Sequence, residues 1–140
     1  MAIDTSVFIF HVEENPRYVE LADAVFDWLE TPRAHAVTST ITMLELLCQP
    51  YRASDIHRVN RFYALLTTYQ NLDWIPPTLE QADLGARLRA DHDLKTPDAI
   101  QAATALACQA TGFVSNDRNL RKVAGLEVIV LDDLLAPGRP

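Results

Sequence analysis

No apolar run in the 140-residue chain approaches the ~20 residues a membrane span requires, which excludes a helical membrane protein. The N-terminus has neither a basic n-region nor a long apolar stretch, so no export signal is read and the expected location is the cytoplasm. Cysteine is scarce. Cys48 and Cys108 stand far apart, each in an apolar helical context, which predicts two buried, reduced thiols and leaves no framework of disulfide staples. No Gly-rich phosphate loop is present, and His11, His35, His57 and His92 lack metal-ligand spacing, which weakens a zinc hydrolase reading. Repeats, low-complexity stretches and internal linkers are also missing. The expectation is one domain over residues 1–140.

Positive charge is in deficit, with 12 Lys and Arg against 19 Asp and Glu and a net charge of −7. That argues against holding nucleic acid by overall attraction. It does not exclude a nuclease, because a carboxylate cluster is itself a block of negative charge that a cation neutralises. Hydrophobic residues make up 49% of the chain and charged residues 22%, the balance of a globular protein with a real core.

The apolar pattern alternates short strands with longer helices. Ala2-Ile3 reads as a strand ending in the polar corner Asp4-Thr5-Ser6, and 7–11 as a turn or short helix. A helix is expected from Pro16 to about Glu30, a strand over 35–39, and a Leu-rich helix that Pro50 interrupts. Ser54-Asp55 caps a helix to about Tyr69, and 72–75 is a third strand. Thr78 with Gln81 three residues on has the form of a capping box. Thr96-Pro97-Asp98 opens an Ala-rich helix running to about Ala110 and closed by Gly112. Strands over 113–115 and 127–131 enclose a short helix over 119–124, and Leu134-Leu135 adds a last turn before a Pro/Gly tail. This predicts an α/β fold: a short, mostly parallel central sheet of about five strands, with helices on both faces.

In such a sheet, functional groups gather beyond the carboxyl ends of the strands. Asp4 ends the first strand, Asp117 follows the fourth, Asp98 opens a helix and Glu45 lies in the helix after the second strand. Four carboxylates at one rim suit a hard, oxygen-preferring divalent cation. Each also has an innocent role. Asp4 can cap the following helix, Asp98 is favoured in a first turn by the helix dipole, and Asp117 can cap or turn the chain. Glu45 can be an ordinary exposed helix residue, although its neighbours Met43, Leu44, Leu46 and Leu47 leave little room for an exposed face. Arg118, Arg121 and Lys122 lie beside Asp117 at helical spacing and are candidates for holding a substrate; a solvated face with surface ion pairs is the plain alternative.

Asp4-Thr5-Ser6 after an N-terminal strand, Glu45 in a Leu-rich helix, Thr96-Pro97-Asp98-Ala99-Ile100 opening an Ala-rich helix, and Ser115-Asn116-Asp117 after a late strand together resemble the PIN-domain nucleases, and among them the VapC-type toxins of bacterial toxin–antitoxin pairs. The resemblance spans essentially the whole chain, and the Thr-Pro-Asp-Ala-Ile stretch is its most specific piece. It implies a three-layer PIN-like fold in which Asp4 and Asp98 are principal magnesium or manganese ligands and Glu45 and Asp117 complete the acidic cluster. Ser115 stands where the family often has Thr, keeps the hydroxyl, and joins Arg118, Arg121 and Lys122 as a substrate-binding candidate. The implied activity is endonucleolytic cleavage of RNA by metal-activated water. The implied partners are an RNA substrate, an antitoxin protein inhibitor and a second copy in a homodimer. The departure is the first strand, shorter than usual for the family, which leaves open a start upstream of Met1.

Two other readings compete. One is a PIN-fold interaction or corepressor subunit without catalysis of its own, with an apolar groove supplied by helices around 24–28 and 62–69. The other is a phosphatase of related architecture with Asp4 as nucleophile, which the Ser at position 6 fits poorly.

Overall fold

A computed structural model of the chain describes residues 1–135; the Pro/Gly tail lies outside them. Five short strands form one sheet: β1 (Ala2–Ile3), β2 (Ala36–Ser39), β3 (Leu72–Ile75), β4 (Phe113–Ser115) and β5 (Val128–Val130). Their order is β3-β2-β1-β4-β5 and every pairing is parallel, so the expected "mostly parallel" sheet is wholly so among the described residues. Between the strands run α1 (Thr5–Val12), α2 (Val19–Leu29), α3 (Ile41–Arg52), α4 (Ile56–Leu66), α5 (Leu79–His92), α6 (Thr96–Ala107), a 3-10 turn (Arg118–Lys122) and α7 (Leu131–Leu134).

β1 has only two residues but is central and paired on both sides. Ala2 lies opposite Val37 on one side and Phe113 on the other, and the amide of Asp4 continues the ladder to the carbonyl of Val114 at 2.9 Å. The strand order reverses at β1, with β2 and β3 to one side and β4 and β5 to the other. A parallel sheet opens its crevice at such a switch point, beyond the carboxyl ends of the strands.

Each face of the sheet buries its own apolar cluster. On one, Phe8 of α1, Phe26 of α2 and Phe62 of α4 pack over Ile3, Ala36 and Val114. On the other, the small side chains of α6 (Ala99, Ala102, Ala103, Ala105) let that helix lie close to Phe113 and to Leu120 of the 3-10 turn. Ala-rich sequence thus serves close packing as well as helix propensity.

Local chemistry explains most boundaries. Asp55 caps α4 by accepting the amide of Arg58 at 3.1 Å, and Thr78 with Gln81 forms the reciprocal capping box. Four expectations change. Helix α1 begins at Thr5, directly after Asp4, where 7–11 was expected. Helix α3 continues through Pro50 to Arg52, because the ring sits in the last turn and deletes one hydrogen bond there. Helix α6 stops at Ala107, short of Gly112, where Gln109 takes a left-handed backbone conformation. The segment after β4 is a 3-10 turn in place of a helix over 119–124.

Both cysteines are free and exposed, which overturns the expectation of buried thiols. Cys48 lies on the outward stripe of α3 with Leu44 and Tyr51, one turn to either side and also exposed. Apolar neighbours in sequence did not mean an inward face.

Candidate acidic site at the switch point

Asp4 leaves β1 at the crevice and is only 6% exposed. It stands at the N-cap position of α1, yet its side chain makes no capping bond. Instead Oδ2 accepts the hydroxyls of Ser6 at 2.8 Å and Ser115 at 2.9 Å. Each hydroxyl is used twice: Ser6 Oγ accepts the amide of Asn116 at 3.2 Å, and Ser115 Oγ accepts the amide of Asp117 at 3.1 Å. The corner after β1 and the corner after β4 are therefore stitched together through the Asp4 carboxylate. Burial pushes the Asp4 carboxyl above its ordinary range, and the two hydroxyls oppose that shift.

The other acids come to the same place. Burial lifts Asp98 from the ordinary 3.8 to about 6, with further contributions from the charges of Asp4 and Asp117, while Lys95 opposes them. Burial also raises Glu45; the Thr5 hydroxyl lowers it, and the charges of Asp4 and Asp98 add to the rise. Each of the four carboxylates thus feels at least one other. Asp117 makes the cap foreseen as its plainer role, accepting the amide of Asn119 at 2.9 Å, and it lines a cleft with Asp98.

Glu45 supplies the informative anomaly. Its Oε1 is buried without a hydrogen-bond partner, a costly state for a carboxylate oxygen. No three His, Cys, Asp or Glu side chains among the described residues stand close enough to chelate an ion as they are placed. The donor set nonetheless fits a hard divalent cation: oxygen ligands alone, a buried Asp4 beside half-buried Glu45 and Asp98, and one carboxylate oxygen orphaned.

Beneath the acids lies a buried polar network that sequence reasoning missed. Gln101 Nε2 donates to Thr5 Oγ1 at 3.1 Å and Thr42 Oγ1 at 2.6 Å, while its Oε1 accepts the amide of Ser39 at 3.2 Å. Thr38 joins Thr42 at 2.9 Å and donates to the carbonyl of Ile3 at 2.8 Å. Five elements are pinned together in this way: β1, α1, β2, α3 and α6. A signal was present, since Thr42 lies three residues before Glu45 and Gln101 three after Asp98. Each is a polar residue on the same helical face as an acid, in an otherwise apolar helix.

The basic candidates divide. Arg118 is held by Asp132 and by Asp133 at 2.6 Å, and Arg121 also pairs with Asp133. Lys122 instead lines the cleft beside Asp98 and Asp117, as does Lys95, which the sequence reading did not single out.

The helices expected to supply an apolar groove do line one together, and α2 also lines a second depression. Phe62, Leu65 and Tyr69 line a groove of about 770 Å³ with Phe26, while Ala24, Val25 and Trp28 line another with Val114, Ile129 and Leu131. No helix among the described residues is long and apolar enough to cross a membrane.

The family model described as PIN domain matches residues 1–126. Among solved structures, the chain is similar to a toxin–antitoxin complex from Klebsiella pneumoniae, at 22% identity over 93% of this chain and 96% of that one, with a TM-score of 0.67. It is also similar to VapBC2 from Rickettsia felis bound to a DNA fragment from their promoter, at 13% identity over 92% and 96%, with a TM-score of 0.69. DNA-bound VapBC from Salmonella typhimurium matches at 22% identity over 93% and 96%, with a TM-score of 0.62. At these identities the likeness establishes a shared fold. No curated protein matches in sequence.

Proposed function

Because the chain belongs to the PIN-domain family, whose members are typically metal-dependent nucleases, we propose that it is a magnesium- or manganese-dependent endoribonuclease, the VapC-type toxin of a toxin–antitoxin pair. The observation that carries this reading is the Glu45 carboxylate, buried with one oxygen unpartnered in the field of Asp4 and Asp98.

Asp4 and Asp98 would hold the cation, and Glu45 and Asp117 would complete its acidic surroundings. When bound, the cation supplies a water of lowered pKa and neutralises charge on the phosphoryl oxygens. Ser6 and Ser115 fix the Asp4 carboxylate by their hydroxyls, so that its remaining lone pairs keep one direction. The Gln101 network holds α3 and α6, and with them Glu45 and Asp98, at a fixed spacing from β1. Glu45, with its unpartnered Oε1, or Asp117 would orient the attacking water or accept its proton.

An antitoxin partner follows from the same reading, since the solved relatives are described as toxin–antitoxin and VapBC assemblies. The groove between α2 and α4 supports it. Phe26, Phe62 and Leu65 give it an apolar floor, and Asp23, Asp27 and Glu30 give it an acidic wall. Tyr69 there is pushed up to about 12, by burial first and then by those three acids. An apolar segment carrying Lys or Arg fits that chemistry. A homodimer is proposed with it.

Purified protein, freed of any partner, is expected to cut RNA with magnesium or manganese and to stop when a chelator is added. Undiminished cutting by Asp98→Asn would sink the ligand assignment. A chain that cuts no RNA yet binds a small neighbouring-gene product through the α2–α4 groove would favour the interaction or corepressor reading.

A further inference from the structure

The chain contains two lysines, Lys95 and Lys122, and both line one cleft of about 450 Å³. Asp98 and Asp117 form the adjoining part of its wall, with His92 and Asn119 beside them. Each lysine shares an element with one of the site acids. Lys95 is the N-cap of α6, one turn before Asp98, and Lys122 ends the 3-10 turn that Asp117 caps. Five of the ten arginines are committed to carboxylates, Arg17, Arg58, Arg87, Arg118 and Arg121, and these include both that follow Asp117. Neither lysine makes an ion pair among the described residues, although Asp93, Asp98 and Asp117 surround them. Their ammonium groups are exposed and available.

Lys95 is also held in place. Arg89 of α5 donates from Nε to the carbonyl of Leu94 at 3.0 Å, and Asp93 takes a left-handed conformation that turns the chain sharply between α5 and α6. In an acidic protein, two uncommitted cations beside a carboxylate centre are where a polyanion can be held without crossing the repulsive acids. The cleft volume falls within the ~300–1,000 Å³ usual for small-molecule sites, and His92 and Asn119 offer a stacking ring and a base-edge donor–acceptor pair.

We propose that this cleft seats one nucleotide of the RNA next to the scissile bond, with Lys95 and Lys122 gripping a phosphate of that nucleotide and offsetting the neighbouring acids. The inference rests on the ribonuclease reading and adds to it the subsite that places the strand across the carboxylates.

The scarcity of lysine makes the test direct. Reductive methylation with ¹³C-formaldehyde labels only the two lysines and the α-amine of Met1, and it keeps their positive charge. Met1 lies at the amino end of β1, where its ammonium donates to the carbonyl of His35, so it serves as an internal control at the far end of the sheet. Lys95→Arg and Lys122→Arg assign the signals. On titration with uridine 3′,5′-bisphosphate in chelator, both lysine signals are expected to shift together while the Met1 signal stays. In cleavage assays Lys95→Ala and Lys122→Ala are each expected to raise KM for RNA about five- to tenfold, as loss of a charge-assisted contact predicts, with the loss falling on KM more than on kcat.

Lysine signals that ignore the bisphosphate, or that answer inorganic phosphate equally, would overturn the nucleotide subsite. So would unchanged KM in both variants of a protein that does cut RNA, an outcome that leaves the ribonuclease reading intact. Lysine signals that respond in a protein that cuts no RNA would keep the subsite and remove the ribonuclease reading.

Discussion

Replacing Asp98 by Asn should make the protein more stable without a cation and less stable with one. The reasoning starts from the carboxyl's rise from 3.8 to about 6, caused first by burial and then by the charges of Asp4 and Asp117. An acid whose pKa is higher folded than unfolded leaves the unfolded chain with fewer protons as pH climbs between those values. Stability therefore falls across roughly pH 4–6 and stays lowered above it. Taken whole, the rise corresponds to roughly 3 kcal/mol. Asp98 is only half-buried, so solvent screening reduces this to about 1 kcal/mol, and the helix dipole's preference for a first-turn acid takes back a few tenths. For a chain of this length, about 1 kcal/mol moves the melting temperature by roughly 3–4 °C. Thermal melts in chelator should show Asp98→Asn gaining that much at pH 7.5 and little at pH 4.5. A divalent cation at about a hundred times its Kd stabilises the wild type by roughly 2.7 kcal/mol, so in magnesium the order of the two proteins reverses. A variant that melts lower than wild type in chelator at pH 7.5, or whose gain does not change with pH, would refute the argument.

Other substitutions probe the supports of the site. Gln101→Ala leaves the buried amide of Ser39 without its acceptor and takes a donor from Thr5 and Thr42, which keep each other at 3.1 Å, and it should cost about 1–3 kcal/mol in urea unfolding; no measurable loss would mean that water or relaxation replaces the network. Ser115→Ala removes one of the hydroxyls that lower Asp4, so the acid limb of the cation-dependent melting gain should move to higher pH; an unmoved or lower limb would contradict the role given to that bond. Native protein should react promptly with two equivalents of Ellman's reagent, because Cys48 and Cys108 are both exposed, and slow labelling would contradict their placement.

What could be read from the sequence follows a physical division. The strand sites, the capping box at Thr78 and the cap at Asp55 depend on residues close in the chain, and they stand within a residue or two of where the pattern puts them. Strand–helix alternation implies the parallel sheet but not its order, and it is the reversal at β1 that sets Asp4 and Asp117 at one crevice. What escaped depends on which way a helix faces. Cys48 shares its apolar surroundings with Leu46 and Leu47, but it points outward with Leu44 and Tyr51. Arg118 and Arg121 have the spacing of a substrate face, yet Asp132 and Asp133, distant by a whole strand, neutralise them. Lys95 carried no signal of its own until the turn before α6 set it opposite Lys122.

The central place of β1 also has a consequence in time. Ala2 and Ile3 pair with β4, more than a hundred residues later in the chain, and Asp4 takes a hydroxyl from Ser115. A nascent chain that already carries Asp4, Glu45 and Asp98 still lacks the strand that closes the sheet at its middle and the corner that holds the first carboxylate. Domains fold as units during synthesis, and contacts of such long sequence separation form late. The acidic site is thus completed only once β4 and the corner after it have been made.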